Sequence, residues 1–353
     1  MALDSSTLHT LFTGQWLNSP ALSPPSWTLP LRPFIEDTLH FHALAPVVHL
    51  SVYACVTSFV LQRVSAVLSP RVFKGYYPAR IEVRKRDDWD LHMVGWAFAL
   101  FATPLALHCL FNPSAQLDVD PLYGTSMREQ RLNAMAVGYF AWDAFVTAKH
   151  IRTQGLGFFL HGAGCFTAFL FTLKPFMLWC GPNFLIWELS TIFLNAHWLI
   201  DKLKMTGSKA QLINGLLLVS TYISARLLFG TYNSYKLWRL LLPSASDYSS
   251  KAQLARETQM WIRLLYLALN ILMNGLNFFW FRLMILALLK RFPSSSSTKT
   301  PSSSTSSRSA SANKPRGSST AVASFVPSTK PVPDDVQKGK LGVESVEGRT
   351  KGE

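Results

Sequence analysis

Long apolar runs recur along this chain, near Leu44–Leu61, Leu91–Phe111, Leu132–Ala148, Gly155–Leu173, Phe176–Ile200, Leu212–Phe229 and Trp261–Leu289. A bilayer core takes roughly 20 helical residues to cross, so each run is long enough, or nearly so, to span it. Inside that core no water satisfies backbone N–H and C=O groups, which restricts spanning segments to helices and closed barrels. Unbroken apolar runs, as opposed to strict alternation, select helices. The expected fold class is therefore all-α: a polytopic membrane protein with about seven transmembrane helices.

The chain is 49% hydrophobic and only 15% charged, where soluble domains average about 25% charged. A formal charge of +14 invites a nucleic-acid partner, but its placement argues for none. Lys and Arg gather in short loops between apolar runs, as the positive-inside rule expects. With seven spans, the loops after the first, third and fifth lie on one side with the C-terminus. That side is expected to be cytosolic and the N-terminus luminal. The four cysteines are scattered, with no CxxC pair or metal spacing, so no metal or other cofactor is expected.

The chain divides accordingly. Residues 1–43 are expected to form a luminal segment; they show no basic n-region leading into an apolar core, so no cleaved signal peptide is expected. Residues 44–84 hold the first span and a basic cytosolic loop that includes Arg63 and Arg71. Residues 85–291 hold about six spans. Residues 292–353 are rich in Ser, Thr and Pro and are expected to be a disordered cytosolic tail, because such a composition cannot bury enough apolar surface to fold.

Polar groups at membrane depth carry the functional information, because each is costly to insert. The stretch Trp187–Asp201, W-E-L-S-T-I-F-L-N-A-H-W-L-I-D, puts Glu188, Thr191 and Asn195 on one helical face. Asp143, His161, Asn195 and Asn214 fall on four different spans at one level, roughly 9 Å inside the cytosolic boundary at 1.5 Å per residue. Glu188 and Asn277 lie nearer the midplane, and Asn270, Asn274 and Asn277 form one polar stripe on the last span. Two readings apply to these groups. They line the mouth of an intramembrane cavity, with Asp143 orienting His161 as a base, or they are hydrogen-bonded joints between helices. His197 reads as a surface pair with Asp201. Arg226 and Arg282 read as snorkelling to an interface, with a pair to Glu188 as the alternative for Arg226.

Three ordered pieces carry a family resemblance: G-Y-F-A-W-D (138–143), W-E-L-S-T-I-F-L-N-A-H-W-L-I-D-K (187–202) and N-G-L-L-L-V-S-T-Y-I-S-A-R-L-L (214–228). Together they resemble the TLC-domain family, which includes ceramide synthases and the translocating-chain-associating membrane protein, and are most similar to its orphan branch. The resemblance implies a helical barrel around a lipid-accommodating cavity, usually in the endoplasmic reticulum membrane. It also implies a part in membrane lipid homeostasis, with membrane lipids as partners and a homo-oligomer compatible with the pattern. The polar lining would be Glu188, Thr191, Asn195, Asn214, Asn270, Asn274 and Asn277. Ceramide synthases join a fatty acyl-CoA to a sphingoid base and carry adjacent histidines where this chain has Leu160-His161-Gly162. An acyltransferase using His161 and Asp143, with acyl-CoA as co-substrate, is thus the first alternative. A transport or cargo-receptor protein without chemistry is the second.

Overall fold

The computed structural model describes residues 15–289 apart from 245 and 248. Seven long helices alternate in direction: α1 (Val48–Val72), α2 (Val83–Phe111), α3 (Met127–Lys149), α4 (Leu156–Thr172), α5 (Glu188–Lys202), α6 (Lys209–Leu241) and α7 (Met260–Leu289). No strand occurs among the described residues. The tail at 292–353 and the first part of the N-terminal segment lie outside them.

The turns between helices gather into two ends. At one, the basic end, Arg84 donates to Thr153 O at 3.3 Å and Lys202 lies over the Trp198 ring. At the other, Met177 N donates to Leu122 O at 2.7 Å, Tyr123 and Thr258 share a hydroxyl bond of 2.7 Å, and Lys251 reaches Asp118 O at 3.1 Å. Arg131, buried there, donates to Leu17 O and Ser19 O and ties down the N-terminal segment.

Six helices close a ring in the order α2, α3, α4, α7, α6, α5 and back to α2, and α1 packs outside it on α2 and α3. The segment Ala45–Val72 and helices α2, α6 and α7 are long and apolar enough to cross a membrane by themselves. The shorter or more polar α3, α4 and α5 complete the alternation because protein covers more of their surface. Every residue of α3 from Glu129 to Phe140 is buried, the pattern of a core helix rather than a lipid-facing one.

Small residues set the closest approaches. A Cβ on Gly138 of α3 would lie 2.0 Å from Ser51 O of α1, and the Ser51 hydroxyl donates to Ala134 O at 2.8 Å. This is the small-residue packing by which membrane helices gain contact without a hydrophobic driving force. A short helix, Cys180–Leu185, touches α2, α3, α4 and α6 and so plugs the ring near the end opposite the basic loops. The side chain of Asn133, fully buried, donates to Thr172 Oγ1 at 2.9 Å and Leu178 O at 3.2 Å and occupies the space beside Gly181.

Several sequence boundaries are corrected. Arg63 and Arg71 belong to α1, and Arg84–Arg86 to α2, not to a loop; arginine and lysine are good helix formers, so these helices run on past the apolar run. The fifth run splits into the plug and α5, with Pro182 in the plug's first turn, where its missing N–H costs nothing. The sixth run extends to Leu241 through a π-type stretch, Tyr222–Phe229.

Gly138→Leu should cost about 1–3 kcal/mol by overpacking the α1–α3 crossing. Gly275→Ala, where nothing lies within 4 Å of the new Cβ, should gain about 0.5–1 kcal/mol from helix propensity. Thermal unfolding in detergent should separate the two by sign.

Candidate functional site

The ring interior is organised by Arg226 of α6. This residue is 5% exposed. Its Nε donates to Ser190 Oγ at 2.8 Å, Nη1 to Asn277 Oδ1 at 3.0 Å and Nη2 to Thr191 Oγ1 at 3.0 Å. Nη2 also lies 4.0 Å from Glu188 Oε1, and the guanidinium sits over the Tyr222 ring at 5.4 Å. Tyr222 in turn donates to Asn277 O at 2.8 Å. The fork geometry of a guanidinium lets one side chain bind acceptors on two helices at once. Here it joins α5, α6 and α7.

Arg226 therefore does not snorkel. It stands seventeen residues after Lys209 and fifteen before Leu241, roughly 20 Å or more along the axis from either helix end. The π-type stretch around it shifts the helical phase, and such stretches often mark functional positions.

Nearer the basic end lies a second polar layer. Asn195 of α5 donates to Thr191 O at 3.0 Å, which leaves its Oδ1 facing His92 Nδ1 of α2 at 2.7 Å. An amide oxygen only accepts, so this imidazole nitrogen carries the proton. The His92 ring stacks on Trp198 at 4.1 Å, and its Nε2 lies 4.0 Å from Asp88. His92 escaped the sequence reading because α2 begins eight residues before the apolar run that marks it, at Val83 rather than Leu91.

Asp143 of α3 faces Gly162 of α4 so closely that a Cβ there would lie 2.5 Å from Oδ2. His161 is rotated away, since successive helical residues point about 100° apart. Its ring meets the edges of Phe140 and Trp280 at centroid distances of 6.2 and 5.3 Å, and its Nε2 is 3.8 Å from Cys165 Sγ. Among the described residues, no hydrogen bond or ion pair joins Asp143 to His161. The expected acid–imidazole contact is thus absent, because the glycine next to His161 takes the position facing the carboxylate. Asp143 and His161 are both half-buried, whereas Glu188, Asn195 and Asn277 are buried. Each of the six ring helices thus brings at least one polar side chain to these two layers: His92, Asp143, His161, Glu188, Arg226 and Asn277.

Other candidates act as joints. Asn214 donates to Phe193 O at 2.9 Å and links α6 to α5. Asn270 and Asn274 both donate to Ser234 Oγ, at 3.0 and 2.9 Å, and Asn270 Oδ1 accepts from Trp238 Nε1 at 3.0 Å. The asparagine stripe of α7 therefore divides: Asn277 belongs to the Arg226 network, and the other two belong to the α6–α7 seam. His197 is buried, with Gly215 of α6 beside its ring. Asp201 accepts from the Thr206 hydroxyl at 2.7 Å.

Removing only the cation should be worse than removing the pair. Arg226→Met leaves Glu188 buried without its counter-charge, which costs about 3–5 kcal/mol. Arg226→Met with Glu188→Gln should recover a large part of that loss. Unfolding midpoints of the single and double variants in one detergent check this; a double variant no more stable than the single one would refute the pairing.

Comparison with known proteins agrees with this architecture. Residues 88–286 match the family model described as the TLC domain. An uncharacterized TLC domain-containing protein of Schizosaccharomyces pombe is 31% identical over 261 residues, which are 74% of this chain and 85% of that protein. Topoisomerase I damage affected protein 4 of Saccharomyces cerevisiae is 27% identical over 63% of this chain and 77% of its own length. TLC domain-containing protein 4 of Homo sapiens is 26% identical over 49% of this chain and 67% of its own length. No solved structure matches. The ordered motifs, the all-helical bundle and these matches agree, and the chain belongs to the TLC-domain family.

Proposed function

We propose that this TLC-domain protein binds a membrane lipid inside its helix ring and contributes to membrane lipid homeostasis in the endoplasmic reticulum. The observation that carries the reading is the convergence of polar side chains from all six ring helices on an interior plugged at one end by Cys180–Leu185. An amphipathic ligand suits such an interior, with its polar group at the layer of Asp143, His161 and Asn195. The Arg226 network below then fixes the walls, since each of its guanidinium nitrogens is already engaged, by Ser190, Asn277 and Thr191. Asp143 is the polar group of the upper layer best placed to meet a ligand. Its carboxylate has no hydrogen-bond or ion-pair partner among the described residues, and a buried or half-buried charge is costly without one.

The basic end faces the cytosol in this reading, with the N-terminus luminal and the C-terminus cytosolic, because short basic loops stay on the cytosolic side. The ligand's polar group then approaches from the cytosol. Membrane lipid is the partner, and a homo-oligomer is compatible with the lipid-facing exterior.

Lipid co-purified from a mild detergent extract, identified by mass spectrometry, tests the reading. Wild type should retain one lipid class well above the background of an unrelated membrane protein. Asp143→Asn should change or lose that class while the protein elutes normally on gel filtration. No enrichment in wild type would end the proposal. The same samples given acyl-CoA and a sphingoid base test the acyltransferase alternative: a new N-acylated product that disappears in His161→Ala would convert a binding protein into an enzyme. For the orientation, a C-terminal tag in sealed microsomes should be removed by protease added outside, and its protection would reverse the topology.

A further inference from the structure

The segment before α1 carries a surface that the ring does not explain. Residues 26–39 fold as a tight 3-10 run, Ser26–Leu31, followed by a π-type turn, Phe34–Thr38. Thr28 and Ile35 point inward and are buried, which fixes the segment on the protein. Trp27, Leu29, Leu31, Phe34 and Leu39 point outward and are 41–61% exposed. Five large apolar groups within thirteen residues form a patch of the kind that marks an interaction surface.

Its position identifies what covers it. The Trp27 indole donates to Tyr53 Oη at 3.4 Å, and the two rings meet at 6.3 Å. Tyr53 stands five residues inside α1, about 8 Å along the axis from Val48. It continues into the outward, lipid-facing row of that helix, where Val52 and Val56 are also exposed. The segment therefore lies beside the first turns of a spanning helix, at the depth where Trp and Tyr belts sit, and not out in bulk solvent. Its backbone suits that depth. Pro25, Pro30 and Pro33 have no N–H to satisfy, and Thr28 N, Leu39 N and Phe41 N donate internally to Pro25 O, Phe34 O and Ile35 O. Arg32 pairs with Glu36 at 2.9 Å, so two of the segment's charges neutralise each other at its rim.

We propose that residues 26–39 are an interfacial anchor, lying along the headgroup–acyl boundary of the leaflet at the end opposite the basic loops, with Trp27, Leu29, Leu31, Phe34 and Leu39 in phospholipid. The anchor is independent of what the ring binds: its partner is the bilayer itself, held by burial of apolar side chains at the boundary.

An environment-sensitive fluorescent amino acid placed at Leu29 or Phe34 of the full chain tests this in phosphatidylcholine vesicles, with a probe at the exposed Ser246 of the same end as control. Two quenchers are compared: iodide from the water, and phosphatidylcholine bearing a nitroxide near its headgroup. The lipid nitroxide should quench the probes at Leu29 and Phe34 roughly twofold more than iodide does, and the order should reverse at Ser246. Dominant iodide quenching at Leu29 and Phe34 would put the segment in water. Quenching by neither would mean that protein, including a second copy of this chain, covers it. Either result overturns the proposal.

Discussion

A guanidinium buried among membrane helices cannot be left to itself, and much of the ring's interior follows from how Arg226 is satisfied. Three of its donors meet Ser190, Thr191 and Asn277, and its charge faces Glu188. These partners come from α5 and α7, so the three helices are fixed in register as well as in proximity. A neutral joint such as Asn214 to Phe193 O is worth only about 0.6 kcal/mol in a membrane. An ion pair that is strongly destabilising to break acts differently: it penalises every arrangement in which α5, α6 and α7 slide past one another.

The same network explains why the polar interior has two layers with different characters. In the deeper layer each guanidinium nitrogen of Arg226 has a partner, and Glu188, Ser190 and Asn277 around it are buried. In the layer toward the basic end, Asp143 and His161 are only half-buried, and the glycine at 162 leaves room between α3 and α4 for the Asp143 carboxylate, which a Cβ there would meet. A ligand entering from the basic end would meet Asp143, His161 and the His92–Asn195 pair before reaching Arg226.

The all-helical fold, the succession of long apolar helices and the presence of buried polar groups between them were legible in the sequence, because long apolar runs and costly polar exceptions are both strong signals. What was not legible depended on azimuth and on helix length beyond the bilayer. Asp143 and His161 sit at similar depth, yet one residue of rotation sends the histidine toward Trp280 and leaves Gly162 facing the carboxylate. Asn270, Asn274 and Asn277 share one stripe, but only Asn277 is level with Arg226, while Ser234 and Trp238 take the other two. Arg226 was read as near an interface because the apolar run ends at Phe229, whereas the helix itself continues to Leu241.

The two ends of the molecule differ in a way that bears on how it sits in a membrane. At the basic end, charged turns connect the helices, and Trp89 and Trp198 pack together beside His92. At the other end, the plug is locked by Asn133 into the space that Gly181 leaves, and Arg131 holds the N-terminal segment by its backbone. The locked end also carries the apolar patch beside Tyr53. Rigid fixation of that segment matters, because an apolar side chain anchors the protein at a defined depth only if its backbone cannot swing away. Burial of Thr28 and Ile35 supplies that fixation, so the depth of the patch is set by the same packing that closes the ring.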